Sequence, residues 1–327
     1  MKRDMTMVNA FVPGNAALSA HEASLIERRQ RVLGPAYRLF YQRPVEIVRG
    51  EGVWLHEASG NKLLDTYNNV ASVGHCHPHV VGALAKQAAI LSTNTRYLHE
   101  TVLDYAEKLL KYFPAELQHV MFTCTGSESN DLAMRLARAR TGGTGFIVTE
   151  CAYHGTTLAV AGMSPSLGRH VNLGEHVRTV PAPNRYRLGD ADVGQAFRAG
   201  VEAAIEDFER HGIKPAALIV DSIFSSDGVL PDPKGFLAGA VEAIHAAGGL
   251  FIADEVQPGF GRTGAHMWGF QRHGVLQADG QRLSGGGPGD APRRGRGFRP
   301  QGALFQYVRR QHGGLRGGAR GPRGDRE

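Results

Sequence analysis

Cysteine is scarce in this chain of 327 residues. Cys76, Cys124 and Cys151 are odd in number and far apart, which argues against a disulfide framework and makes a reducing cytoplasm the expected compartment. No apolar run approaches the ~20 residues of a membrane-spanning helix, and the start, Met1-Lys-Arg-Asp-Met-Thr-Met-Val8, lacks the apolar core of a secretory signal, so no membrane partner is expected. Lysine is missing altogether after Lys234. That absence does not reflect a lack of basic residues: residues 276–327 hold 11 Arg, no Lys and 4 acids, while the 275 residues before them hold 26 basic and 27 acidic side chains. The net charge of +6 therefore belongs to the tail, and because arginine does not lose its proton at working pH, nothing beyond Lys234 can serve as an amine nucleophile.

What is present is enough for one large core or two domains, with 42% hydrophobic residues. Ser19-Ala-His-Glu22 has the form of a capping box that opens a helix, and Gly34-Pro35 would close it. Residues 45–67 alternate short β-favouring runs with Gly50, Gly52 and Gly60-Asn61, the pattern of a small antiparallel meander. Gly74-His-Cys-His-Pro-His79 contains good zinc-ligand types, but Pro78 suits a first helical turn and the spacing after it is helical. A lead-in loop is therefore expected there, and no metal site. From there strands and helices alternate: strand-like runs at 119–124, 145–149, 217–221 and 250–254, helical ones at 130–140, 201–211 and 235–247. This predicts right-handed crossovers and a mostly parallel sheet.

Three of the turns carry chemistry. Thr125-Gly-Ser-Glu-Ser129, between a strand and a helix, offers hydroxyls and backbone N–H groups at a positive helix end, as a phosphate requires; an ordinary helix cap would look the same. Cys151-Ala-Tyr-His-Gly155 follows the next strand and sets an aromatic ring and an imidazole beside the same crevice. Leu250 to Asp254 reads as a buried strand delivering a carboxylate to a glycine-rich turn, at the end of a sheet where ligands of open α/β folds bind. An anion cradle, an aromatic plate and an acid are what pyridoxal phosphate needs, the acid keeping the pyridine nitrogen protonated.

Four segments, Gly74-His-Cys-His-Pro78, Phe122-Thr-Cys-Thr-Gly-Ser-Glu-Ser-Asn-Asp-Leu-Ala133, Ala152-Tyr-His-Gly155 and Ile252-Ala-Asp-Glu-Val-Gln-Pro-Gly-Phe-Gly-Arg-Thr-Gly264, resemble the class III pyridoxal-phosphate aminotransferases of fold type I. The stretches 67–78 and 92–99 look most like the branch holding ethanolamine-phosphate and phosphohydroxylysine phospho-lyases. The resemblance implies an N-terminal arm and small α+β domain over 1–74 and a cofactor-binding large domain, incomplete, over 75–275. It further implies amino-group transfer between an amine or amino acid and a 2-oxo acid, or phospho-lyase chemistry on the same cofactor. Carried over by motif, Thr125, Gly126 and Ser127 would hold the phosphate. Tyr153 would cover one ring face with His154 beside it, Val256 would pack on the other, Gln257 would approach the ring hydroxyl, and Asp254 would pair with the ring nitrogen.

The family's catalytic lysine, which forms the Schiff base with the cofactor one strand beyond Asp-Glu-Val-Gln, has no counterpart, so no catalytic residue is assigned and the chain is expected to be inactive. The family's homodimer is not expected to assemble here, because the tail lacks the apolar residues to complete it. With 14 Gly and 11 Arg, residues 276–327 are expected to be disordered. Their Arg-Gly pairs resemble RNA-binding segments, but compositional matches of this kind arise easily and nucleic acid is not an expected partner. A different origin fits better. Codons can be chosen from Gln277 onward so that the same nucleotides, read one base later, spell Lys-Pro-Met-Gly-Asn-Gly-Phe-Pro-Val-Ala-Gly-Leu-Val-Thr-Arg-Pro, and residues 303–315 likewise become Arg-Tyr-Phe-Asn-Thr-Phe-Gly-Gly-Asn-Thr-Val-Ala. Both resemble the family, so the chain is expected to be a C-terminally truncated, frameshifted copy.

Overall fold

The computed structural model describes residues 9–275 apart from 36, 69–71 and 169. The expectation of a disordered tail over 276–327 lies outside the described residues. Helix α1 (Ala20–Leu33) starts at the anticipated box: the Ser19 hydroxyl accepts the Glu22 N–H at 3.2 Å and the Glu22 carboxylate accepts the Ser19 N–H at 2.7 Å. It stops at Gly34, whose φ of 69° a side chain would resist. Strands β1 (Ile47–Glu51), β2 (Trp54–Glu57) and β3 (Lys62–Leu64) form the expected antiparallel meander. His75 staples the meander to the chain that leads into the next helix, exchanging backbone hydrogen bonds with Gly52 at 2.7 and 3.0 Å and setting its Nε2 2.6 Å from Asp65. Gly50 has to be glycine here, because a Cβ would stand 2.8 Å from the His75 ring.

Helix α2 (Pro78–Ala88) has Pro in its first turn, as expected, and α3 (Glu100–Leu110) comes after it. Then come α4 (Gly126–Thr141), β4 (Gly145–Thr149), α5 (Leu158–Ala161), β5 (Val177–Val180), α6 (Arg185–Leu188), α7 (Val193–Arg210), β6 (Pro215–Asp221), α8 (Ala238–Ala246) and β7 (Leu250–Asp254). Their sheet has the order β5-β4-β6-β7, and every pair is parallel. Alternation along the strands splits the core in two. Ile147, Leu218 and Val220 face α7 and α8 through Phe197, Val201, Phe208 and Ile244, whereas Phe146, Val148, Ala217 and Ile219 face Ala133, Met134 and Ala137 of α4. With β4 buried along its whole length and both faces covered, its sequence is continuously apolar up to Thr149.

Two details differ from the sequence reading. Residues 119–124 are not a strand: Val120 and Phe122 pack against the core, but no ladder forms, because no strand lies beside this segment among the described residues. β-Favouring composition makes a strand only where a neighbour supplies the hydrogen bonds. The four-residue edge strand β5, by contrast, has too little sequence to stand out.

Candidate active site

Strands β4, β6 and β7 bring the site together at their C-terminal ends. Asp254 terminates β7 with its carboxylate nearly buried. Its Oδ2 accepts from Asn130 Nδ2 at 2.9 Å and lies 2.8 Å from His154 Nδ1; since a carboxylate only accepts, the imidazole proton sits on Nδ1. Oδ1 accepts the Val256 N–H at a longer 3.2 Å. Asn130 donates a second time, to the His154 carbonyl at 2.8 Å, and the His154 N–H donates to Ser164 Oγ at 3.0 Å. His154 Nε2 is buried with no partner, which leaves a polar atom for a ligand or water to satisfy.

Across the cavity, α4 begins with a second capping box. Thr125 Oγ1 accepts the Glu128 N–H at 3.1 Å while the Glu128 carboxylate takes the Cys124 and Thr125 N–H groups. The N–H groups of Gly126 and Ser127, in the first turn, have no carbonyl one turn back to bond. Two glycines keep this cradle open. A Cβ on Gly126 would lie 3.0 Å from Val256 Cγ2, and one on Gly155, whose φ is +136°, would lie 2.4 Å from Ser127 Oγ. Ser127 Oγ in turn accepts the Thr156 N–H at 3.0 Å, locking the two turns together.

The cavity they enclose, ≈ 180 Å³, is lined by Gly126, Ser127, Tyr153, His154, Gly155, Asp221, Asp254, Val256 and Gln257. This is below the roughly 300–1,000 Å³ of small-molecule pockets, so the described residues enclose less than a whole ligand. Of the residues singled out in the sequence, only Thr125 is not on the wall, its hydroxyl being used by the helix cap. No lysine lines the cavity. A roomier crevice, ≈ 560 Å³, lies beside Tyr112 and Met267, but it gathers no comparable hydrogen-bonded set. Among the described residues no group of three His, Cys, Asp or Glu could hold a metal ion.

The sequence reading passed over four contributors. Asp221 ends β6 in register with Asp254, and burial, with the Asp254 charge adding to it, pushes its carboxyl above the usual range against hydrogen bonds from Ser225 and Ile223. It closes an apolar run as Asp254 does, and that pattern could have flagged it. Gly155 belongs to a quoted motif, but only the backbone shows its need. Asn130 also lies in a quoted segment, but nothing local gives its role, since its partners lie far away in sequence. Glu255 turns away from the cavity: it accepts from Ser222 Oγ at 2.8 Å and from the Gly269 and Phe270 N–H groups at 2.7 and 2.9 Å. Burial raises its carboxyl to about 7 despite those bonds. This clasp fixes the chain direction at the end of β7, so that Asp254 and Val256 face the cavity.

The arrangement suits a flat, anionic ligand with a ring N–H: free amides and a hydroxyl for the anion, a half-exposed Tyr153 ring for one face, Val256 nearby, and a fixed carboxylate for the ring nitrogen. Residues 40–290 match the family described as aminotransferase class III. The chain is 39% identical over 263 residues to an alanine–glyoxylate aminotransferase 2-like protein of Drosophila melanogaster, covering 77% of this chain and 53% of that one. It is 33% identical over 291 residues to ethanolamine-phosphate phospho-lyase homolog 1 of Caenorhabditis elegans, covering 81% and 62%. A solved phospholyase from Arthrobacter, in complex with phosphoethanolamine, superposes with a TM-score of 0.72 at 42% identity, over 76% of this chain and 59% of that one. The chain thus spans little more than half the length of these relatives.

Proposed function

Because the chain belongs to the class III aminotransferase family, with its fold type I α/β architecture, we propose that the cavity at Asp254 is a pyridoxal 5'-phosphate site for amino-group transfer between an amine or amino acid and a 2-oxo acid. The observation that carries this reading is the opposition, across one cavity, of a buried, doubly tethered carboxylate to the first turn of α4, whose Gly126 and Ser127 N–H groups have no intrahelical carbonyl to bond. When bound, pyridoxal phosphate supplies an electron sink for the carbon that bears the amino group. The protein's part is to bind and orient. The Gly126 and Ser127 N–H groups with Ser127 Oγ would hold the phosphate, Tyr153 and Val256 would cover the two ring faces, Gln257 would approach the ring hydroxyl, and Asp254 would hold the proton on the ring nitrogen. His154 and Asn130 would hold Asp254. Thr125 contributes by capping α4 and so setting where its first amides point.

A phospho-lyase reaction on the same cofactor is the second reading, favoured by the 42% identity to the Arthrobacter phospholyase. We further propose that the present chain does neither, because no lysine lines the cavity and none comes after Lys234, and that the cause is the shifted reading frame after Val275. The test is to add pyridoxal phosphate and then borohydride, with peptide mapping and assays for both reactions. Bound cofactor with no covalent adduct and background turnover is expected. An adduct near Asp254, or cofactor-dependent turnover, would overturn the inactive reading, and failure to bind the cofactor at all would overturn the site.

A further inference from the structure

Asn130 lies in the second turn of α4, whose first turn forms the anion cradle, and it is only 4% exposed. One amide NH2 group carries two protons, and here each has its own acceptor: the His154 carbonyl at 2.8 Å and Asp254 Oδ2 at 2.9 Å. With His154 Nδ1 also 2.8 Å away, Oδ2 is held by two short bonds at once. The Asp254 carboxylate cannot rotate without breaking both. Oδ1, with one longer bond to the Val256 N–H, is the oxygen that keeps capacity for a ligand.

From this geometry we infer that Asn130 is a positioning residue for the ring nitrogen of the cofactor. It ties the carboxylate that receives the nitrogen to the same helix that receives the phosphate, so one rigid element sets the distance between the two ends of the ligand. Asparagine suits the place because it donates twice and brings no charge. An aspartate there would lose both donors and set a further carboxylate beside Asp254. Nothing in this role requires a lysine, so it operates in the chain as it stands.

The inference rests on the cofactor reading, and the experiment separates the two. Pyridoxamine phosphate, which needs no covalent anchor, is titrated by fluorescence into the full chain and into Asn130→Ala and Asn130→Asp from pH 5.5 to 9, with inorganic phosphate binding measured in parallel. In the wild type the ring nitrogen is expected to keep its proton to a higher pH than in free pyridoxamine phosphate. Each variant is expected to bind pyridoxamine phosphate roughly tenfold more weakly or worse and to release the ring proton at lower pH, with inorganic phosphate affinity unchanged. No binding by the wild type would remove the cofactor reading and this inference with it. Wild-type binding with unaltered variants would overturn the inference alone, as would variants that lose phosphate and pyridoxamine phosphate equally, since that is what a merely structural asparagine would do. Should neither variant fold, the Asn130 side-chain amide resonances of the wild type decide. A shift on adding pyridoxamine phosphate but not inorganic phosphate supports the role, and the absence of such a shift overturns it.

Discussion

His154 and Asp254, a hundred residues apart, meet at 2.8 Å between Nδ1 and Oδ2, with both side chains almost wholly buried. A buried carboxylate of this kind is valuable to a ligand and costly to remove, because the two protons that its Oδ2 accepts have no other acceptor. Asp254→Ala would leave His154 Nδ1 and one proton of Asn130 unsatisfied beside a His154 Nε2 that already lacks a partner. At about 1–3 kcal/mol for each stranded group, a loss of roughly 2–6 kcal/mol in unfolding free energy is expected, together with loss of pyridoxamine phosphate binding. Urea denaturation measures the first; a change under about 0.5 kcal/mol would show that the pair is solvated and the burial argument wrong.

Gly155 tests the cradle separately. An alanine there must adopt φ +136° and place its Cβ 2.4 Å from Ser127 Oγ, so the two turns have to separate. A cost of about 1–3 kcal/mol is expected, with loss of phosphate affinity. Gly162→Ala is the control: its φ is −64° and the nearest atom to a new Cβ is 3.4 Å away, so little change is expected. Equal thermal shifts in the two variants would rule out the cradle as the strained element.

The Glu255 clasp gives a pH prediction. Its carboxyl ordinarily loses its proton near 4.5 but holds it to about 7 in the folded chain, so between those values the folded state binds a proton that the unfolded state has released. Stability from this group is therefore fully present below 4.5 and is lost as pH rises through 7. Neighbouring His273 runs the other way: burial lowers it from 6.5 to about 4, so its contribution is present above 6.5 and is lost as pH falls through 4. Glu255→Gln should leave the rising His273 limb and remove the falling one. Melting temperatures from about pH 5 to 8 should show the variant gaining on wild type as pH increases. Parallel curves would mean that Glu255 titrates normally.

Much of the fold is legible in the sequence wherever the signal is local. The Ser19 box, the Gly34 stop, the Gly50 and Gly52 meander, the apolar strand ending in Asp254 and the motif turns all fall where short-range chemistry puts them. What could not be read depends on partners. Residues 119–124 needed a neighbouring strand, Asn130 needed acceptors 24 and 124 residues away, and Glu255 needed the turn that begins at Gly269. Thr125 shows how a local signal can have two meanings, since its hydroxyl serves as the cap that the same five residues would equally announce.

The last prediction concerns the missing amine. Residues 276–327 are rich in Arg and Gly, as a GC-rich gene read out of frame tends to be, and two separate stretches of them are compatible with nucleotides that spell family-like sequence one base later. Codon degeneracy makes one short match cheap, but two in the same shifted frame are hard to obtain by chance. The first of these shifted sequences begins with lysine, a side chain absent from the wall of the cavity that the described residues enclose. The strand expected before that lysine is spelled in neither frame, so a deletion not divisible by three is the simplest cause. Sequencing the coding DNA after the Val275 codon should therefore reveal a lysine-containing aminotransferase C-terminus in the shifted frame. Restoring both the frame and the missing strand should return a borohydride-stable cofactor adduct and turnover together, while Asp254→Ala in the restored chain should abolish turnover again. Nucleotides that do not read so would make the Arg-Gly tail a segment in its own right, and the search for its role would then start from that composition.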